Sequence, residues 1–542
     1  MNALEVEFRI MHLMTRAAAV VLALFLAIPS LRAQKMIDLD VATIADLNVA
    51  LSKGTLTSER LVQMFLARID AYDRKGPSLR AVIAVNPKAL EIARAMDAER
   101  KASGPRSPLH GIPVIIKDNI DTADMATTGG SVLLEGSIPP DDAFVVKKLR
   151  AAGAIIIAKA NLSEFASGAA HSSLAGQILN PHDLTRSPSG SSGGTGAAMA
   201  AAFAMAGLGT DTGGSVRGPA TANGIAGLKT TMGLVSRDGV IPLALSFDTV
   251  GPMARSVYDV AALLSVITGV DAADASTKLG DRRSVTDYTQ SLKADALKGA
   301  RLGIARDFLG QDPDVDWVME TALDTMRKQG ATIVDVRLPK WLLDAKGEYY
   351  NAIRYPEFVV QIKEYLATLG PNYPKNITDL IERARRVNAP RPDGASPNPV
   401  RWSLLVREAG SGTLQDYQYT SVRDHALPLV RAVLDGMLAA DKLDAIVYPT
   451  ASRRPQLIAA PPEVPGGAAG SGSNLANLSG FPDLIVPAGF TTDDLPVALS
   501  FLGPAFSEAR LLALGYSFEQ ATRARRLPVH TPLLPGNAIA VP

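Results

Sequence analysis

A chain of 542 residues, 47% hydrophobic and 20% charged, carries enough apolar material for a large buried core, which excludes disorder as its main state. Lys and Arg number 55 against 54 Asp and Glu, so at a formal charge of +1 no overall field gathers nucleic acid or an anionic membrane, and neither partner is implied. Cysteine is absent, which removes disulfides, thiolate metal sites and a cysteine nucleophile and leaves oxygen or lysine for any nucleophilic chemistry.

In chain order, Arg16 precedes the apolar run Ala17 to Ile28, which is followed by Pro29, Ser30, Leu31, Arg32 and Ala33. A basic start, an apolar run and a small residue before a cut form the pattern of a secretory signal peptide. Residues 1–33 are therefore read as a signal cleaved after Ala33, and the protein is expected to be exported, periplasmic or secreted. Leu31 fits the third position before that cut poorly, and acidic Glu5 and Glu7 leave Met11 or Met14 as alternative starts. The run falls short of the ~20 residues that span a bilayer, so no stable membrane association is expected.

Residues 34–542 are expected to form one domain. Its N-terminal segment, 37–75, reads as two helices: after Thr57, a suitable N-cap, Leu61, Phe65, Ile69 and Tyr72 recur at helical steps. A core of about 81–270 follows, in which short apolar runs alternate with helical ones: a strand over 111–116, a helix over 144–152 and a strand over 154–158. Strands alternating with helices predict an α/β fold, a sheet covered by helices on both faces. A glycine-serine loop then precedes Ala197 to Ala206, which reads as a helix whose N-terminus aims free N–H groups at that loop. A helical elaboration is expected at about 340–400, ending in the proline-rich Asn388 to Pro399, and the core returns at about 440–525. The Pro- and Gly-rich stretch 459–473 fits either a lid over a cleft or a solvated loop.

Three segments place a polar side chain beside glycine or at the end of an apolar run. Lys117 closes His110-Gly-Ile-Pro-Val-Ile-Ile-Lys-Asp-Asn-Ile120. Drawn into the interior it becomes a base if its pKa falls from ~10.4 to roughly 7, which burial can supply; taken alone, the segment fits a lysine snorkelling at a strand end better. Ser191 and Ser192 lie in Ser187-Pro-Ser-Gly-Ser-Ser-Gly-Gly-Thr195, and Ser215 in Gly209-Thr-Asp-Thr-Gly-Gly-Ser-Val-Arg217. A Gly-Gly-Ser turn presents a hydroxyl with N–H groups converging nearby, the arrangement of an oxyanion hole, although most such turns are only turns.

Other motifs fit less well. Gly190-Ser-Ser-Gly-Gly194 satisfies the G-x-S-x-G elbow, with Ser192 as nucleophile, but an elbow follows a strand directly whereas Ser187-Pro188-Ser189 is a turn. The histidines downstream of it, His425 and His530, stand in uninformative settings. Leu228 separates Gly227 from Lys229 and breaks any phosphate loop, and the six histidines show no H-E-x-x-H spacing, so neither a nucleotide nor a metal is expected.

Taken together the segments resemble the amidase-signature family. Gly111 to Ile120 is similar to its lysine motif, Thr127-Thr-Gly-Gly-Ser131 to the segment after it, and Leu149 to Asn161 to the next block. The serine loop, Gly209 to Arg217, Gly224 to Lys229, Asp248 to Pro252, Tyr448-Pro-Thr450, Gly480-Phe-Pro482 and Leu495-Pro-Val497 continue the resemblance over roughly 40–525. It implies a large mixed twisted sheet covered by helices, and a Ser-cisSer-Lys triad: Ser215 as nucleophile, Ser191 after a cis bond from Gly190 as bridge, and Lys117 as base. It also implies an oxyanion hole of the Thr212, Gly213, Gly214 and Ser215 N–H groups, and no metal or organic cofactor. Ser189, Thr195 and Thr230 depart from the family pattern without removing a catalytic side chain. The expected substrate is a small carboxamide, a peptide C-terminal amide, or an aryl or acyl amide, and the expected state a monomer or homodimer. The alternatives are the glutamine-hydrolysing chain of a tRNA-dependent amidotransferase, and a binding protein that kept the fold; Lys117, Ser191 and Ser215 together argue against the latter.

Overall fold

The computed structural model describes residues 35–281, 283, 285–459 and 472–541, with residues 2, 4 and 6–14 near the N-terminus. The apolar run Ala17 to Ile28, the cut after Ala33 and most of the 459–473 stretch lie outside the described residues.

An 11-stranded mixed sheet organises the chain. From one edge its strands are Thr332–Val336, Arg301–Ala305, Ala445–Pro449, Pro496–Leu502, Asp483–Phe490, Ala226–Lys229, Thr249–Ala254, Ala206–Asp211, Pro113–Lys117, Ile155–Ala160 and Val82–Val85. Every residue of Pro113–Lys117, Ala206–Asp211 and Thr249–Ala254 is buried. Successive strand residues point to opposite faces, so unbroken burial means that both faces of the sheet are covered. Gly193–Ala200 packs on Pro113–Lys117 and Ala206–Asp211, Val257–Ile267 on Thr249–Ala254, and Glu508–Thr522 on Asp483–Phe490. Among the described residues no helix is long and apolar enough to cross a membrane.

Local rules explain several boundaries. The Ser58–Arg68 helix starts where Thr57 accepts the Arg60 N–H, as the sequence suggests, and it continues through a wider turn at Ile69–Arg74. The 37–75 segment nonetheless begins as a strand: Lys35–Asp38 pairs antiparallel with Ala538–Val541, so the two ends of the described domain are joined. The helix expected over Ala197 to Ala206 is observed at Gly193–Ala200, and Ala206 already opens the next strand. Alanine's helix preference yields there because Ala202 turns left-handed (φ 52°) and the Met205 N–H meets the Pro113 carbonyl at 3.0 Å, steering the chain into the sheet.

The helical elaboration lies between the strands Thr332–Val336 and Ala445–Pro449 and runs beyond residue 400: Lys340–Thr368, Ile377–Arg386, Pro399–Ala409, Tyr417–Ser421 and Leu427–Ala440. Its helices bury apolar side chains in two smaller cores beside the main one, with Ile353, Leu434 and Tyr448 in the first and Phe358, Leu380 and Trp402 in the second.

Candidate active site

Pro113–Lys117 and Ala206–Asp211 are parallel neighbours, with Ile116 opposite Leu208, so Lys117, Thr210 and Asp211 reach the same edge of the sheet. Carboxyl ends of parallel strands are the usual place for a site in an open α/β sheet. The glycine-serine loop and the Gly-Gly-Ser turn meet there, joined by the Ser192 N–H donating to the Ser215 carbonyl at 3.2 Å.

The side chain of Lys117 is fully buried, and its Nζ lies 2.7 Å from Ser191 Oγ and 2.7 Å from Thr210 Oγ1. Burial pushes the lysine down to about 7, against the opposing pull of the Asp211 and Asp248 charges. Ser191 is buried, the Gly190–Ser191 peptide is cis, and the Ser191 carbonyl accepts the Ser163 N–H at 2.9 Å. Ser215 is half-buried on the turn that precedes the Arg217–Ala222 helix. Lys117, Ser191 and the loop carrying Ser215 are therefore brought together.

Asp211 holds that turn. Its carboxylate accepts the N–H groups of Gly214 at 2.8 Å and Val216 at 2.9 Å, and it pairs with the Arg217 guanidinium at 3.1 Å. Burial works to raise its pKa, but the charge and hydrogen bonds of Arg217 outweigh that and hold the carboxyl below the usual carboxylate range. Arg217 also reaches Asp483 at 3.1 Å, and Asp483 accepts the Tyr448 hydroxyl at 2.7 Å. This wiring corrects one expectation: the Gly214 N–H is committed to Asp211, whereas those of Thr212, Gly213 and Ser215 have no acceptor among the described residues. The Thr212 hydroxyl donates to Asp248 at 2.5 Å, and burial pushes that carboxyl up to about 6.

Several neighbours have no signal of their own in the sequence. Thr210, Asp211 and Arg217 sit inside a motif that stands out for its serine and glycines. Tyr350 comes from the helical elaboration, stacked on Phe247 with ring centroids 5.4 Å apart, and a Cβ on Gly213 would fall 2.8 Å from its hydroxyl. No spacing in the sequence connects Tyr350 to the turn.

The competing motifs resolve by geometry. Ser192 Oγ is buried and donates to the Thr210 carbonyl at 3.2 Å while accepting the Thr210 N–H at 3.3 Å, so it ties the loop to the sheet. His425 and His530 are exposed. Lys229 is buried and pushed down to about 7 like Lys117, yet among the described residues its Nζ donates only to the Thr230 and Phe481 carbonyls, at 3.0 and 2.9 Å. Ser189 adopts φ 62°, which is strained by roughly 1 kcal/mol for a residue with a Cβ and explains glycine's place there in the family pattern.

The sequence model of the family described as Amidase matches residues 60–512. The A-type chain of the glutamyl-tRNA(Gln) amidotransferase of Roseiflexus sp. (strain RS-1) is 37% identical over 503 residues, covering 89% of this chain and 96% of its own. The native peptide amidase from Stenotrophomonas maltophilia shares 39% of residues at a TM-score of 0.80, covering 91% of this chain and 99% of its own. An amidase family protein from Bacillus anthracis str. Ames is 31% identical at a TM-score of 0.80, covering 90% and 92%. With its mixed sheet and its lysine-serine edge, the chain belongs to the amidase-signature family.

Proposed function

We propose that the protein hydrolyses a carboxamide through an acyl-enzyme, with Ser215 as nucleophile, Ser191 as proton relay and Lys117 as base. The observation that carries this reading is the 2.7 Å separation of Lys117 Nζ and Ser191 Oγ at a fully buried lysine pushed down to about 7. A neutral amine accepts the Ser191 proton as Ser191 takes the Ser215 proton, and Ser215 Oγ bonds to the amide carbon. The oxyanion faces the Thr212, Gly213 and Ser215 N–H groups. The C–N bond then breaks, the relay returns its proton to the leaving ammonia or amine, and water drawn through the same relay hydrolyses the ester.

A peptide C-terminal amide is the favoured substrate, supported by the 39% identity to a peptide amidase over nearly all of both chains; aryl and acyl amides are the other members of the class. Export through the segment ending at Ala33 belongs to the same reading, and N-terminal sequencing of the exported protein checks it: an intact Met1 refutes it. The 37% identity to an amidotransferase chain favours a second reading, glutamine hydrolysis within a multisubunit complex. A panel of peptide amides, anilides, fatty amides and glutamine, run on the wild type and Ser215→Ala, decides. Turnover of peptide amides by the isolated chain, lost in the variant, is expected. Activity retained in Ser215→Ala removes the nucleophile, and activity on glutamine alone with a co-purifying partner favours the second reading.

A further inference from the structure

A neutral lysine amine has one lone pair and two N–H groups, and Lys117 Nζ meets two hydroxyls at equal distance, Ser191 Oγ and Thr210 Oγ1, both at 2.7 Å. The relay works only if the lone pair faces Ser191. If Thr210 donates its own proton to the lysine, the lone pair is occupied and the base is blocked. What decides between these states is where the Thr210 proton goes.

Among the described residues, the other partner of Thr210 Oγ1 is the amide end of Asn119, at 3.1 Å. Asn119 is almost wholly buried, and the far end of its amide, occupied by Oδ1, has no hydrogen-bond partner among the described residues. With the NH2 group toward Thr210, the threonine oxygen accepts from Asn119, and its own proton has only the lysine lone pair to go to. The two ends of a carboxamide are isosteric, and nothing at the far end donates to the oxygen, so turning the amide sacrifices no bond. Turned, Oδ1 accepts the Thr210 O–H, Thr210 accepts a Lys117 N–H, and the lone pair is left to Ser191. Every group in the chain then has one direction.

We infer that Asn119 is a positioning residue: it presents its carboxamide oxygen to Thr210 and thereby aims the Lys117 lone pair at Ser191. The inference rests on Lys117 being the base. The backbone holds Asn119 in place, since its carbonyl accepts the Ile241 N–H at 2.8 Å and the following Ile120 N–H donates to the Lys117 carbonyl at 3.0 Å. The carboxylates whose charges act on Lys117 are Asp211, the last residue of the Ala206–Asp211 strand, and Asp248, immediately before Thr249–Ala254.

The rate at which an alkyl fluorophosphonate labels Ser215, followed from pH 5 to 10, tests this without a known substrate. Asn119→Leu keeps the volume and Asn119→Ala removes it, and both lack an acceptor; whichever folds, judged by its melting transition, is expected to label at least tenfold more slowly across the range. Asn119→Asp still accepts from Thr210. It is expected to keep the alkaline plateau within about threefold while its acid limb moves to higher pH, because an added negative charge favours the charged lysine. Wild-type labelling by Asn119→Leu or Asn119→Ala overturns the inference, as does an Asn119→Asp plateau as low as theirs. Lys117→Ala and Ser215→Ala run in parallel: if these label like the wild type, the catalytic reading itself fails, whereas if they are silent and Asn119→Leu labels like the wild type, only the role of Asn119 fails.

Discussion

Two buried lysines, both pushed down to about 7, show what burial alone does and does not confer. Lys229 spends its protons on two carbonyls, which accept and cannot relay, while Lys117 faces two hydroxyls, which do both. The partner sets the function. The same burial has a consequence for stability. The unfolded Lys117 keeps its proton up to about 10.5 and the folded one only up to about 7, so the native state carries the full penalty below pH 7 and sheds it as pH rises through that window. At pH 6 the penalty is on the order of 5 kcal/mol. Lys117→Met is therefore expected to gain on the wild type most at pH 6, with the difference shrinking steadily toward pH 10. Urea unfolding at pH 6, 8 and 10 checks it, and a pH-independent difference contradicts the depressed lysine. The lysine, the two serines and the turn glycines were legible because the family's motifs are local runs. Asn119, Thr210 and Asp211 were equally visible, but their roles depend on which strands become neighbours.

At the scale of elements, Glu164 fastens the helical elaboration to the catalytic core. Its carboxylate accepts from Ser131 Oγ at 2.5 Å, Ser173 N at 3.1 Å, Asn398 Nδ2 at 2.7 Å and Trp402 Nε1 at 2.9 Å. The Ser163 N–H next to it donates to the Ser191 carbonyl, so the helix Pro399–Ala409 and the serine loop share one anchor. Glu164→Gln turns an NH2 group toward two of those donors, and leaving buried donors unpaired costs about 1–3 kcal/mol each. A loss of roughly 2–4 kcal/mol is expected in denaturant unfolding, and unchanged stability argues that the anchor is dispensable. Nothing in the spacing of Glu164 and Trp402 announces this pairing. The alanine run at 197–206 teaches the converse: local propensity is clear, and the sheet overrides it where a strand is needed between Pro113–Lys117 and Thr249–Ala254.

For the whole molecule, the C-terminal segment closes the fold over its own beginning. Arg68 is fully buried, and its guanidinium donates to the Thr531 carbonyl at 2.8 Å, the Pro532 carbonyl at 3.0 Å, Asn537 Oδ1 at 2.9 Å and the Ala201 carbonyl at 2.9 Å. Ala538–Val541 then pairs with Lys35–Asp38, immediately after the expected cut at Ala33. Deleting residues 531–542 strips Arg68 of three of these partners, and a buried charge left unpaired costs about 3–5 kcal/mol. Such a truncation is expected to lower the unfolding midpoint sharply in urea. A truncated chain as stable as the full one shows that the clasp contributes little.

The sequence by itself determined the α/β alternation and the absence of thiols, and it nominated the lysine-serine-serine set, because these are written in composition and in contiguous motifs that the backbone obeys locally. Tertiary structure alone decided which N–H groups on the turn have no acceptor among the described residues, which of the two lysines pushed down to about 7 meets hydroxyls, and that Tyr350, Glu164 and Trp402 belong near the site. Those facts depend on strand order and on carboxylates that choose among distant donors, and a hydrogen bond between residues far apart in the chain leaves no period or spacing to read.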